Sequence, residues 1–271
     1  MITSTANAQV KELIKLMKKS RAREEAGVFI AEGPRMVNEL RNDPVWRKRI
    51  EKICLSESYA GRHERELPDL QRAGRTEILS DPVFAHVSDT KTPQGILAVV
   101  RRKEYRMEQI LGVDASCPHV IVLDNLQDPG NLGTIFRTAE AAGVTGIILG
   151  RECVDIYNPK VVRSTMGAVL RVPFLYTDDL TGTIGELKQA GIKVYAAHLK
   201  GRDAYDQEDY KTGCAFLIGN EGNGLRDEVA ECADRYVLIP MLGRAESLNA
   251  AVAASVLMFE VSRQRRNYDI E

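Results

Sequence analysis

Cysteine is scarce in this 271-residue chain, and the five present are scattered at Cys54, Cys117, Cys153, Cys214 and Cys232. None forms a CxxC pair, and the two nearest are 18 residues apart. An odd, dispersed set excludes a disulfide framework and a zinc ribbon, and fits reduced thiols in a cytoplasmic protein. Histidine is equally sparse, with His63, His86, His119 and His198 far from one another and no HExxH spacing, so no metal site is expected. Long apolar runs are missing too. The longest uncharged stretch of the C-terminal part, Ser247 to Phe259, has 13 residues, short of the roughly 18 needed to span a bilayer. The N-terminus lacks a basic head followed by an apolar core, so no secretory signal is expected. Neither sign of charge dominates: 37 Lys plus Arg against 38 Asp plus Glu give −1. With 44% hydrophobic and 28% charged residues, the composition is that of a globular protein and excludes collagen-like or wholly disordered chains.

The near-zero total conceals an asymmetry. Residues 1–106 hold 21 basic and 15 acidic side chains, hence +6; the remainder holds 16 and 23, hence −7. Val10, Leu13, Ile14 and Met17 repeat at helical spacing, with lysines on the opposite face. Lys11, Lys15, Lys18, Lys19, Arg21 and Arg23 stand against one acid, Glu12, in the first 23 residues. This cluster reads either as a phosphate-contacting face or as an ordinary solvated helix surface. Strands are expected at Val28–Ala31, Lys52–Ser56, Thr76–Leu79 and Gly95–Val100, alternating with helices in a small α/β unit. Arg101 to Arg106, RRKEYR, reads as a solvated strand end or linker. The expected division is a smaller α/β domain over 1–106, a linker over 107–116 and a second α/β domain over 117–271.

The second part alternates apolar strands with helices. Strands are expected at His119–Leu123, Gly146–Leu149, Val172–Leu175, Ile192–Ala197, Cys214–Ile218 and Arg235–Ile239. Helices are expected near Asn131–Ala142, Pro159–Met166, Leu180–Ala190 and Glu246–Gln264. Near-continuous apolar strands indicate a parallel sheet covered on both faces. Ligands of such sheets sit at the carboxyl ends of the strands, which directs attention to three loops.

The first loop, after Leu123, contains Pro129 and Gly130, then Asn131 as an expected helix cap, Gly133, and Arg137 on the helix itself. The second follows Ile218 and reads Gly219, Asn220, Glu221, Gly222, Asn223, Gly224. Its GxxGxG spacing is neither the dinucleotide fingerprint nor a P-loop. Glycines at this density let backbone amides face a ligand. The third follows Ile239 and Pro240, with Met241 and then Ser247, Leu248 and Asn249 ahead of an apolar helix expected to be a core element through Phe259. Polar Ser247 and Asn249 at the start of such a helix need partners, from a neighbouring loop or a ligand.

In order and spacing, these loops resemble the three motifs of the SpoU (TrmH) family of RNA ribose 2′-O-methyltransferases, within the SPOUT superfamily. Their quoted residues are Asn131, Gly133 and Arg137; Gly219 through Gly222; and Ile239 to Met241 with Ser247 to Asn249. The stretch from Val10 to Glu32 and Gly33 is similar, more loosely, to the substrate-binding domain that many members carry, itself like a small RNA-binding ribosomal protein. The resemblance implies an α/β fold with a C-terminal parallel sheet whose end threads a deep trefoil knot. It also implies S-adenosyl-L-methionine as methyl donor, an RNA partner and a homodimer. Donor contacts are implied for Gly219, Ile239, Leu248, Leu199, Asn220 and Met241. The implied catalytic set is Arg137 at the ribose hydroxyl, with Asn131, Glu221, Ser247 and Asn249 in support. Glu221 is expected to hold Arg137, and Asn249 to orient a loop or substrate or to cap its helix.

Ribosomal RNA of the large subunit is the expected target, because family members with a separate N-terminal domain often act there. Transfer RNA is the alternative. The competing classes are a non-catalytic RNA-binding protein on the same scaffold, a nucleotide-dependent doubly wound enzyme, disfavoured by its glycine spacing, and a base methyltransferase.

Overall fold

The computed structural model describes residues 1–112, 117–199, 201 and 203–266. The chain divides into two compact units: Met1–Lys103 with Asp155–Leu170, and Glu104–Val154 with Arg171 onward.

The first unit is built on a four-stranded sheet of β1 (Val28–Glu32), β2 (Ile50–Ser56), β3 (Arg75–Leu79) and β4 (Ile96–Arg101), in the order β1-β4-β2-β3. β4 runs antiparallel to β1 and β2, and β2 runs parallel to β3, so the sheet is mixed. Alternation along each strand sends side chains to opposite faces. Val28, Ile30, Leu97 and Val99 join Val10, Leu13 and Phe84 in one buried cluster, under the helices Ala8–Lys18 and Asp81–Val87. Phe29 points the other way, edge-on to Trp46 at 6.1 Å and stacked on Tyr157 at 4.9 Å. Tyr157 belongs to the segment Asp155–Leu170, which groups with this unit although it lies far along the chain. The indole Nε1 of Trp46 donates to the Leu170 carbonyl at 2.8 Å.

Arg23 departs from expectation. It is 2% exposed, and its guanidinium pairs with Asp155 at 2.5 Å while donating to the carbonyls of Leu16 and Met17. It closes the C-terminal end of the helix Ala8–Lys18 and is removed from the expected phosphate-contacting set. Lys11, Lys15, Lys18, Lys19 and Arg21 do face solvent, although Arg21 pairs with Glu25 at 2.8 Å.

The second unit is a seven-stranded, all-parallel sheet. Its strands are β5 (His119–Leu123), β6 (Gly146–Gly150), β7 (Phe174–Thr177), β8 (Lys193–Ala197), β9 (Asp203–Ala204), β10 (Cys214–Ile218) and β11 (Arg235–Leu238). The order is β7-β6-β5-β10-β8-β11-β9, with β10 inserted between β5 and β8. β5, β6 and β10 are buried along their whole length, which is why they read as apolar runs. Of the expected linker 107–116, Met107–Leu111 forms a helix whose Ile110 packs with Val120, Ile148 and Leu187; 113–116 lie outside the described residues.

The helices Pro129–Ala142 and Ala250–Arg265 pack against each other, with the Ser255 hydroxyl 3.2 Å from that of Thr138. The second helix is not buried all round, contrary to expectation: Val252 and Phe259 are 47% and 46% exposed. Its far end is clamped by Arg265, which donates to the carbonyls of Tyr210, Cys117, Pro118 and Thr212. No helix among the described residues is long and apolar enough to cross a membrane.

Candidate active site

The carboxyl ends of three adjacent strands, β10, β8 and β11, open onto a cavity of about 440 Å³, within the roughly 300–1,000 Å³ typical of small-molecule sites. Gly219, Asn220, Ile239, Met241, Leu248 and Leu199, the residues expected at a donor, all line it, as do Glu221 and Ser247.

The loop after β10 owes its shape to two glycines. A side chain on Gly219 would bring its Cβ to 2.1 Å from the Gly224 carbonyl carbon and 2.2 Å from the Leu225 nitrogen. Gly224 adopts φ +70°, which favours glycine. Asn220 and Gly224 exchange backbone hydrogen bonds of 2.9 and 3.0 Å, closing the turn. The Asn220 side chain works inside the loop: its oxygen accepts from the Gly222 and Asn223 amides, and its nitrogen donates to the Asn125 carbonyl.

Two carboxylates bind this loop to the one after β5, in opposite directions. Asp124 is fully buried at the end of β5. It accepts from the Arg226 backbone amide at 2.9 Å and from that guanidinium at 2.8 and 2.7 Å. Glu221 accepts from the backbone amides of Gln127 and Asp128 and from the Asn131 side-chain nitrogen, at 3.2, 2.9 and 2.9 Å. Burial pushes the Glu221 carboxyl upward, but the hydrogen bonds from Asn131, Asp128 and Gln127 outweigh it and hold the group below the usual glutamate range. The glutamate therefore does not pair with Arg137, contrary to expectation.

A chain of side-chain hydrogen bonds joins all three motif loops. Asn131 donates to Glu221, and its oxygen accepts from the Asn249 side-chain nitrogen at 3.0 Å. The Asn249 oxygen accepts from the Ala251 and Val252 amides, capping the helix Ala250–Arg265. Asn249 thus both caps the helix and ties the loops. The helix begins at Ala250, so Glu246 and Ser247 belong to the preceding loop rather than to its first turn. Asn131 is likewise not a cap: Asp128 caps the helix Pro129–Ala142, accepting from the Asn131 amide at 2.8 Å, and Pro129 sits in the first turn, where its missing N–H costs nothing.

Arg137 projects from that helix into solvent, without a hydrogen bond or ion pair among the described residues, and does not line the cavity. Ser247 lines the cavity with its hydroxyl free of protein partners among the described residues. Sequence reasoning missed the Asp124–Arg226 pair and His198, which stacks on Tyr236 at 5.2 Å and also borders the cavity. The only available signal for Asp124 was a carboxylate directly after an apolar strand.

Residues 118–259, just over half of the chain, match the SpoU rRNA Methylase family. The chain belongs to that family. Residues 7–98 of this SpoU methylase match the MRM3-like substrate binding domain. The 23S rRNA (guanosine(2553)-2′-O)-methyltransferase RlmP of Bacillus subtilis is 34% identical over 261 residues, covering 96% of this chain and 98% of that protein. A putative TrmH family tRNA/rRNA methyltransferase of Staphylococcus aureus is 36% identical over 64% of this chain and 72% of its own. Among solved structures, an AdoMet-bound rRNA methyltransferase from Sinorhizobium meliloti superposes with a TM-score of 0.84 at 31% identity, covering 98% of each chain. AviRb from Streptomyces viridochromogenes in complex with AdoMet gives 0.82 at 28% identity, covering 96% of this SpoU methylase and 98% of AviRb.

The cavity fits S-adenosylmethionine on its own terms. It couples apolar walls, from Ile218, Leu225, Val237 and Leu238, to the compact glycine loop and the polar Ser247. This is the mixture an adenosyl group with a charged amino-acid arm requires.

Proposed function

We propose that this SpoU methylase transfers the methyl group of S-adenosylmethionine to a ribose 2′-hydroxyl of 23S ribosomal RNA. The observation that carries this is the hydrogen-bonded chain Glu221–Asn131–Asn249, which fixes three loops beside the cavity. When bound, the donor supplies a methyl already activated as a sulfonium. The remaining work is alignment of the acceptor oxygen and removal of its proton.

Gly219, Ile239 and Leu248 hold the donor through main-chain groups, with Leu199, Met241 and the Asn220 turn around it. Arg137 orients the ribose hydroxyl or its flanking phosphate. A guanidinium, with a pKa above about 12, is a poor base but a good bidentate partner for phosphate. Ser247 takes part at the cavity mouth. Asn131, Glu221 and Asn249 act as positioning residues, since their polar atoms are occupied by one another and by the loops.

The domain carrying residues 1–106 docks the RNA, supported by its +6 charge and by the match to a substrate binding domain. The protein works as a homodimer in the cytoplasm, its C-terminal segment threaded as a trefoil knot. Family resemblance supports the knot, exposed Val252 and Phe259 support the dimer, and a ribosomal RNA target supports the compartment.

The test compares wild type with Arg137→Ala on 23S and transfer RNA transcripts, alongside calorimetry of the donor. The expected result is methylation of 23S RNA by wild type only, with the donor bound equally by both proteins. Methylation by Arg137→Ala at the wild-type rate contradicts the role of Arg137, and methylation of transfer RNA alone contradicts the substrate.

A further inference from the structure

Two basic runs in the first unit are distant in sequence: Arg47, Lys48 and Arg49 ahead of β2, and Arg101, Arg102 and Lys103 at the end of β4. The antiparallel pairing of β2 with β4 brings them together, since Ile50 lies opposite Val100. The Arg101 amide donates to the Arg49 carbonyl at 2.9 Å, and the Arg101 guanidinium donates to the Lys48 carbonyl at 3.3 Å. Part of the charge is committed internally. Arg47 pairs with Asp69. Arg102 donates to the Val28 carbonyl and lies 4.5 Å above the Tyr157 ring.

Three of the others face a groove of about 480 Å³ lined by Lys48, Arg49 and Arg101, with Pro44 and Val45 as an apolar rim. Lys48 is exposed and has no ion pair among the described residues. Arg49 uses one guanidinium nitrogen on the Arg102 carbonyl. Arg101 is 59% exposed and pairs with the half-exposed Glu51 at 3.3 Å, a contact that solvent screens and that a stronger anion can replace. Three cations against one acid leave a net +2. The groove also differs in place from the lysine-bearing helix Ala8–Lys18. Trp46, next to the groove residue Val45, packs on Phe29, and Phe29 points to the sheet face opposite the one that helix covers.

We propose that this groove is a second docking site for the substrate, taking the phosphodiester backbone of RNA. The inference rests on the proposed RNA substrate. Cations around an open groove suit phosphate oxygens, while the Pro44 and Val45 rim suits the apolar edge of a ribose. Such contacts fix register on the RNA without reading its sequence. Of the RRKEYR run, which as sequence alone reads as a solvated strand end or linker, Arg101 lines the groove.

The test measures binding of full-length protein to a 23S RNA transcript across a salt series, with steady-state methylation of the same RNA. The variants are Lys48→Ala with Arg101→Ala, and the charge-preserving pair Lys48→Arg with Arg101→Lys. For the alanine pair, affinity should fall about tenfold at moderate salt, and the slope of log K against log salt should flatten by roughly 1 to 2. KM for RNA should rise with kcat at saturating RNA unchanged, and the charge-preserving pair should behave as wild type. Unchanged affinity and slope in the alanine pair, with wild-type RNA binding and methylation intact, would overturn the groove assignment. Absence of RNA binding and methylation in wild type would instead overturn the substrate itself.

Discussion

Asn131 stands between two partners, donating to Glu221 and accepting from Asn249. Its amide can serve both only in one orientation, so the three loops share one hydrogen-bond register. Asn131→Ala should lower kcat by roughly 100-fold, because a small misplacement of reacting groups costs that much. Donor affinity should change little, since no donor wall is removed; single-turnover methylation and donor calorimetry check the two halves. Arg23 makes a contrasting case. Its pair with Asp155 is nearly buried, and removing one partner of such a pair costs about 3 kcal/mol. Arg23→Ala should therefore unfold at lower denaturant while its RNA salt slope stays that of wild type. Lys15→Ala should keep stability and flatten the slope. His119 gives a pH signature. Burial, reinforced by Arg265, pushes its imidazole down to about 3, against about 6.5 when unfolded. The unfolded state thus binds the extra proton, and this contribution to stability is complete above about pH 6.5 and lost as pH falls toward 3. Denaturant titrations of wild type and His119→Phe should differ in pH slope within that window. None of these four contacts was legible in the sequence. They join residues about 90 to 150 positions apart, and nothing local marks Glu221 as a partner of Asn131 rather than of Arg137.

The elements were easier to read where burial is complete. β5 and β10 coincide with the apolar runs His119–Leu123 and Cys214–Ile218, because a strand covered on both faces has no polar positions to blur its limits. Helix starts were harder. Ser247 and Leu248 continue an apparently helical pattern, yet the chain stays non-helical to Asn249, whose side chain does the capping. At the first loop the cap fell on Asp128, three residues ahead of Asn131, since Pro129 suits a first turn as well as a break. The glycine loop was legible as a loop, but the reason for Gly219 was not. The space for a Cβ is filled by the backbone of Gly224 and Leu225, part of the same turn. Gly219→Ala should weaken donor binding by tenfold or more, the scale of about 1–3 kcal/mol for forced overpacking. Calorimetry with S-adenosylmethionine measures it directly, and circular dichroism checks that the sheet survives.

For the whole molecule, the opposite charges of the two parts of the chain were visible by counting. The composition of the units was not: Asp155–Leu170 groups with the N-terminal unit through contacts such as Phe29 on Tyr157, and no compositional change marks it. The central claim is that the donor cavity serves ribose methylation of 23S RNA. The most direct measurement is mass spectrometry of nucleosides from 23S RNA incubated with the protein and S-adenosylmethionine bearing a labelled methyl group. The expected product is a single 2′-O-methylated nucleoside carrying the label on its ribose. Label on a base, or no label in RNA while the donor binds, would contradict the account.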